Sequence, residues 1–179
     1  AGLAILVDDR DASYPVVIDP ILTAPCWTGE VNWHDSSFGY SVATAGDVNG
    51  DGYSDILVGA PYYEKIPLNE GGAFVWVGGA PDILNPTGLG PNGTPLNADW
   101  SFTSGVGGAA LGTSLAGAGD VNRDGYSDVV LGAPTYANGE GGEGAAYIMF
   151  GSPAGPAGPA WLAEGNQVGA HFGASVAMA

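Results

Sequence analysis

The chain contains a copy of itself. Residues 38–61 read FGYSVATAGDVNGDGYSDILVGAP and residues 111–134 read LGTSLAGAGDVNRDGYSDVVLGAP, an offset of 73 residues (38 to 111). Self-similarity at a fixed period marks a fold stacked from one supersecondary unit, so it limits the architecture before any strand is assigned. A tryptophan stands eleven residues ahead of each block, Trp27 before Phe38 and Trp100 before Leu111. The same spacing returns from Trp161 to Phe172, followed by Gly173, Ser175 and Val176. This third copy starts 61 residues after the second (111 to 172). The difference falls between Gly78 and Trp100, which places an insertion in the loop 79–98 of the first repeat. In the same phase Ala179 matches Ala45 and Ala118, so the chain reads as cut just before a third acidic loop.

Composition then selects the class of unit. With 32 Gly and 13 Pro, few windows are long enough for a helix without a breaker. Five Trp, eight Tyr and five Phe supply a core, which argues against disorder. Short apolar or alternating runs predict strands at 41–45, 55–59, 73–77 and 100–103. Their equivalents are 114–118, 128–132, 146–150 and the region of Trp161. Four antiparallel strands per repeat describe a propeller-type blade better than a solenoid coil. A β-sandwich with fortuitous internal similarity is the alternative. The expected organisation is an all-β chain: an N-terminal strand segment at 1–21, a first repeat at 22–98, a second at 99–159, and the start of a third at 160–179.

The densest chemistry lies between the first two strands of each repeat. Asp47, Asn49, Asp51 and Asp55 recur as Asp120, Asn122, Asp124 and Asp128. These are loop positions 1, 3, 5 and 9, with Gly52 and Gly125 at position 6. Alternate oxygen-bearing side chains on a curling backbone suit Ca²⁺, which takes roughly six to eight oxygens in a flexible cage. Tyr53 and Tyr126, at position 7, are expected to add backbone carbonyls. Three carboxylates in nine residues repel one another unless a cation sits among them. An acidic, Asx-turn-rich loop without an ion is the other reading. An EF-hand is excluded, because position 12 is Val58 in one copy and Leu131 in the other. Each lies in an apolar β-type run, so the loops belong to hairpins.

With these residues in place, the sequence resembles FG-GAP repeats, the blades of integrin α-subunit β-propellers and of many bacterial extracellular proteins. The naming residues are Phe38-Gly39 with Gly59-Ala60-Pro61, Leu111-Gly112 with Gly132-Ala133-Pro134, and Phe172-Gly173. The resemblance covers about residues 22–179. It implies seven-bladed propellers, Ca²⁺ loops that stiffen one face, and roles in adhesion or extracellular recognition. Two departures stand out: Leu111 replaces the phenylalanine, and two blades with a fragment cannot close a ring, since propellers use about four to eight. Further repeats of the same chain, or neighbouring copies, are expected to supply the missing contacts. The N-terminal runs 3–7 and 14–18 match no part of the repeat. They suit the tail of a preceding domain, a ring latch, or a strand donated to the next subunit, and the last would build a filament.

Other features narrow the function. Nineteen acidic residues against three basic ones give a formal charge of −16, and Arg10, Lys65 and Arg123 cannot form a phosphate-binding stripe. Nucleic acid and anionic membrane surfaces are therefore not expected partners. No apolar run is long enough for a transmembrane helix. Cys26 has no intrachain partner and reads as a small buried hydrophobe. His34 and His171 lack zinc-ligand spacing. Glu64, Glu70, Glu140 and Glu143, which follow the GAP motifs, read as solvated loop acids rather than a glycosidase pair. Asn92-Gly93-Thr94 is a possible N-glycosylation sequon, whereas Pro86 excludes Asn85. The expectation is a non-enzymatic, extracellular or cell-surface protein with two Ca²⁺ sites and an extracellular protein or glycan as possible ligand. A propeller lyase or hydrolase would need a convergent acid–base set, which the sequence does not offer.

Overall fold

A computed structural model describes residues 27–31, 35–63, 69–81 and 88–178. The readings of segment 1–21, Cys26, His34 and Glu64 lie outside the described residues. Among the described residues, eight strands form two separate four-stranded sheets. The first holds β1 (Ser41–Gly46), β2 (Asp55–Ala60), β3 (Gly72–Trp76) and β4 (Trp100–Thr103). The second holds β5 (Ser114–Gly119), β6 (Asp128–Ala133), β7 (Ala145–Met149) and β8 (Pro159–Glu164). Both are antiparallel meanders in chain order, as propeller-type blades require.

The two blades repeat each other residue by residue. Ser41 pairs with Gly59, and Ser114 with Gly132. A register irregularity falls between Thr44 and Gly46 in one blade and between Gly117 and Gly119 in the other. Gly46 and Gly119 have φ of 78° and 71°, a conformation that glycine adopts without steric cost. This bulge turns the chain out of the inner strand and into the acidic loop.

The structure shifts two predicted strands by one residue. β3 and β7 begin at Gly72 and Ala145 and stop before Val77 and Phe150. Val77 leaves the ladder because its N–H is donated to Asp99 Oδ2 at 2.8 Å. The next N–H, of Gly78, goes to Asp55 Oδ1, also at 2.8 Å. Side-chain acceptors therefore end this strand.

Period-two alternation distributes the central strands between two apolar layers. Leu57, Ala73 and Val75 join Leu111, Leu115, Val129, Leu131 and Tyr147 in a core between the blades. On the opposite side of the first sheet, Val58, Ala60, Phe74 and Trp76 pack with Trp27 and Phe38. A strand buried on both sides reads as a continuous apolar run, which explains Ile56-Leu57-Val58. Trp100 and Phe102 stack at 6.2 Å, and Phe102 meets Tyr147 edge-on at 5.4 Å, tying β4 to the second blade.

Each blade is hooked by the phenylalanine–glycine corner that follows. Leu111 N–H donates to Glu70 O at 3.2 Å, and Ser41 Oγ donates to Gly112 O at 2.6 Å. One repeat later, Phe172 N–H donates to Glu143 O at 3.0 Å, and Ser114 Oγ to Gly173 O at 2.8 Å. A Cβ on Gly59 would collide with Gly112 O, and one on Gly132 with Gly173 O. The glycine that opens each GAP motif is thus the point where consecutive repeats touch backbone to backbone. Leu111, in place of phenylalanine, is fully buried at this closed junction, whereas Phe172 is 42% exposed.

Candidate metal centre

The acidic loops connect β1 to β2 and β5 to β6, so each is held at both ends by a sheet. Within the first loop the acids collect the loop's own N–H groups. Asp47 Oδ1 accepts from Gly50 at 2.7 Å and Asp51 at 3.0 Å, and Asp47 Oδ2 accepts from Gly52 at 2.9 Å. Asn49 Oδ1 accepts the Asp51 N–H at 3.1 Å, and Asp51 Oδ1 accepts that of Tyr53 at 2.9 Å. Asn49 Nδ2 donates to Asp51 Oδ2 at 3.0 Å.

The second loop repeats this wiring except for the bond from Gly50, which has no counterpart at Arg123 among the described residues. Asp120 accepts from Asp124 and Gly125, Asn122 Oδ1 from Asp124, and Asp124 Oδ1 from Tyr126, all at 2.9–3.0 Å. Asn122 Nδ2 donates to Asp124 Oδ2 at 2.7 Å. The one covalent difference is at position 4, Gly50 against Arg123. Both have positive φ, 78° and 65°, so the arginine bears a backbone cost that the glycine avoids.

Asp55 and Asp128 stand beneath the loops, 1% and 0% exposed. Asp55 Oδ2 accepts the Val48 N–H and Oδ1 the Gly78 N–H, both at 2.8 Å. Asp128 does the same with Val121 at 2.8 Å and Gly151 at 2.9 Å. Each aspartate therefore pins the acidic loop to the end of the third strand. Burial pushes the Asp55 carboxyl above its usual range; the two N–H bonds oppose this, and the charges of Asp51 and Asp47 add to it.

A link between blades adds to these contacts within each loop. Ser127 Oγ accepts the Asp47 N–H at 3.1 Å, Ser127 N–H donates to Asp47 O at 2.8 Å, and Ser152 N–H donates to Val48 O at 2.9 Å. The first loop thus rests on the second blade. Ser54 and Ser127 repeat in the motif, but the sequence alone does not say that this serine reaches a neighbouring blade.

The fit to Ca²⁺ rests on donor chemistry. The side chains at each loop centre offer oxygen, which a hard divalent cation prefers. Among the described residues, no three acidic, histidine or cysteine side chains form a ready metal cluster. In the first loop hydrogen bonds link Asp47, Asn49 and Asp51 to one another, while Asp55 keeps a second lone pair on each oxygen. Asp47, Asn49, Asp51, Asp55 and the Tyr53 carbonyl would hold one ion; Asp120, Asn122, Asp124, Asp128 and the Tyr126 carbonyl would hold the other.

The reading of the glutamates as solvated is overturned for two of them. Glu70 is 2% exposed and Glu143 fully buried. Glu70 Oε2 accepts the Gly105 N–H at 2.9 Å, and its carbonyl takes the hook of the next repeat. Glu143 Oε1 accepts the Asn138 N–H, while Oε2 is buried without a partner among the described residues. These acids organise the connection between β2 and β3, or β6 and β7, at the blade end opposite the acidic loops. Asn92 is exposed; its Oδ1 accepts the Thr28 N–H at 3.1 Å. His171 is also exposed, its Nδ1 lying 3.0 Å from Pro134 O. No helix among the described residues is long and apolar enough to cross a membrane.

The FG-GAP repeat family model matches residues 38–76 and 111–149, the spans from each Phe/Leu-Gly corner through the third strand. The chain is 39% identical to human integrin alpha-7 over 167 residues, covering 93% of this chain and 12% of that protein. It is 38% identical to chicken integrin alpha-6 over 141 residues, 76% of this chain and 11% of the relative. Against Drosophila melanogaster integrin alpha-PS2 the figures are 43% over 133 residues, 73% and 8%. The chain thus spans only about an eighth or less of the length of these relatives.

Proposed function

We propose that this chain, which carries two FG-GAP repeats and is similar to integrin alpha subunits, is a calcium-stiffened, non-enzymatic segment of an extracellular or cell-surface β-propeller. Its role is adhesion or assembly, with an extracellular protein or glycan as ligand. The supporting observation is the first loop, where the charges of Asp51 and Asp47 act on Asp55 beneath them, with the Asp–Asn–Asp hydrogen bonding repeated in the second loop. A Ca²⁺ ion in each loop would cancel that repulsion. It would also bind the loop to the hairpin that Asp55 or Asp128 already pins, with no catalytic role.

A ligand that binds only the folded state adds RT ln(1 + [L]/Kd), about 2.7 kcal/mol at a hundredfold excess over Kd. The expected result is a marked fall in Tm when EGTA replaces Ca²⁺, reversed by added Ca²⁺. Titration should report two sites, reduced to one by Asp47→Ala or by Asp120→Ala. Identical melting curves with Ca²⁺ and with EGTA would defeat the calcium reading.

One observation favours an assembly role. Gly112 and Gly173 are packed against a preceding blade, but a Cβ on Gly39 would meet nothing within 4 Å. Beside it, Tyr40 is 63% and Val42 68% exposed. The first repeat therefore presents a junction surface that a further blade fits, from the parent polypeptide or from a neighbouring copy. Filament growth by exchange of the N-terminal strand is the extended form of this reading.

A further inference from the structure

The chain has three Asn-Gly steps, Asn49-Gly50, Asn92-Gly93 and Asn138-Gly139. In such a step the glycine nitrogen, unshielded by a neighbouring Cβ, can attack the asparagine side-chain carbonyl. That reaction needs a peptide N–H that donates to nothing and a side-chain amide free to turn toward it. The fold treats the three steps differently.

Gly50 N–H is held by Asp47 Oδ1 at 2.7 Å, and both ends of the Asn49 amide are bonded to Asp51. Gly93 N–H donates to Thr28 O at 2.8 Å, while Asn92 Oδ1 accepts the Thr28 N–H. Gly93 is also buried, and a Cβ there would strike the Trp27 ring. Both steps are locked at the nucleophile and at the electrophile.

Asn138-Gly139 is the exception. Both residues are exposed in the connection between β6 and β7. Gly139 N–H has no acceptor among the described residues, and a Cβ on Gly139 would meet nothing within 4 Å. Its φ is +123°, a conformation available to glycine. Among the described residues, one exposed bond restrains the Asn138 amide, from Nδ2 to Glu164 Oε1 at 3.1 Å. Asn138 Oδ1, which must turn for the carbonyl carbon to be attacked, accepts no hydrogen bond from the described residues.

We propose that Asn138 is a site of spontaneous deamidation in the folded protein, whereas Asn49 and Asn92 are protected by the fold. Gly139 N bonds to Asn138 Cγ, the bond from Cγ to the amide nitrogen breaks, and ammonia leaves with the proton from Gly139. Water then opens the succinimide at either carbonyl, giving aspartate or isoaspartate; no oxidant or cofactor takes part. The product replaces a donor to Glu164 with a carboxylate, next to the buried Glu143 that Asn138 also serves. The modification therefore adds like charge to a connection that already holds two acids.

The test is incubation of the full chain at mildly alkaline pH, with Ca²⁺ and with EGTA, followed by peptide mass mapping and isoaspartyl methylation. Locked steps react only through local opening, so Asn138 is expected to convert about tenfold or more faster than Asn49 and Asn92. In concentrated urea the three rates should converge. Asn138→Gln should abolish the fast phase and leave the other two rates unchanged. A rate at Asn138 equal to or below that of either other asparagine in the native protein would overturn the proposal, as would a fast phase surviving in Asn138→Gln.

Discussion

Tyr136 and Tyr147 show how one side chain couples this fold to its medium. Their rings meet edge-on at 6.3 Å, and they are 8% and 4% exposed. Burial raises both phenols above the ordinary tyrosine value; for Tyr136 the Glu164 charge adds most after burial, and for Tyr147 the neighbouring Tyr136. A raised folded-state value means the native protein keeps protons that the unfolded chain releases above about pH 10. Their stabilising effect is complete below that pH and is lost as pH rises from there through the higher folded-state values. Tyr147→Phe should therefore flatten the loss of stability in the alkaline limb of a denaturant-midpoint profile against pH. Parallel profiles for variant and parent would show that Tyr147 does not drive the alkaline transition. The pairing of Tyr136 with Tyr147 was not legible from sequence, since it depends on β7 lying beside the connection that follows β6.

At the level of elements, the hook between repeats makes the sharpest demand. The GAP glycine carries no side chain because the next repeat's corner carbonyl occupies that space. Backbone on both sides cannot yield as a flexible side chain would. Overpacking typically costs about 1–3 kcal/mol, and the upper end applies here. Gly59→Ala and Gly132→Ala should each lower Tm by several degrees, about 2–4 °C per kcal/mol for a chain of this size. Gly39→Ala replaces a glycine with positive φ but no packed neighbour, so it should cost less than either. A Gly59→Ala loss no larger than that of Gly39→Ala would contradict the packing account. The strand positions themselves were readable from the apolar runs. The one-residue shifts were not, because side-chain acceptors such as Asp99 and Asp55 decide where the ladder ends.

On the scale of the molecule, one inter-blade junction is complete and another surface is prepared. The completed junction buries Leu57, Val75, Leu111, Leu131 and Tyr147 in a single core. The prepared surface carries Tyr40 and Val42 on the first repeat. If a second copy is the occupant, sedimentation velocity should show concentration-dependent association, and Val42→Lys should abolish it without lowering Tm. A monomer at all concentrations would remove the self-assembly reading. The acidic loops of adjacent blades also support each other through Ser127 and Asp47, so an ion bound as proposed above would stiffen the junction as well as the hairpin.

The sequence alone determined the repeat, its phase, the all-β blade and the paired acidic loops, because these are encoded in local spacing and in turn chemistry that recurs. It also located the insertion, whose absence from the second repeat shortens the period. What only the tertiary structure decided depends on contacts between distant segments. Glu70 and Glu143 are buried because each closes a junction with the following repeat. Ser127 supports a neighbouring blade's loop, and one Asn-Gly step of three is left open. A loop acid or an Asn-Gly pair has the same local sequence whether water or another blade stands beside it, and burial by that neighbour is a property of the assembled sheets.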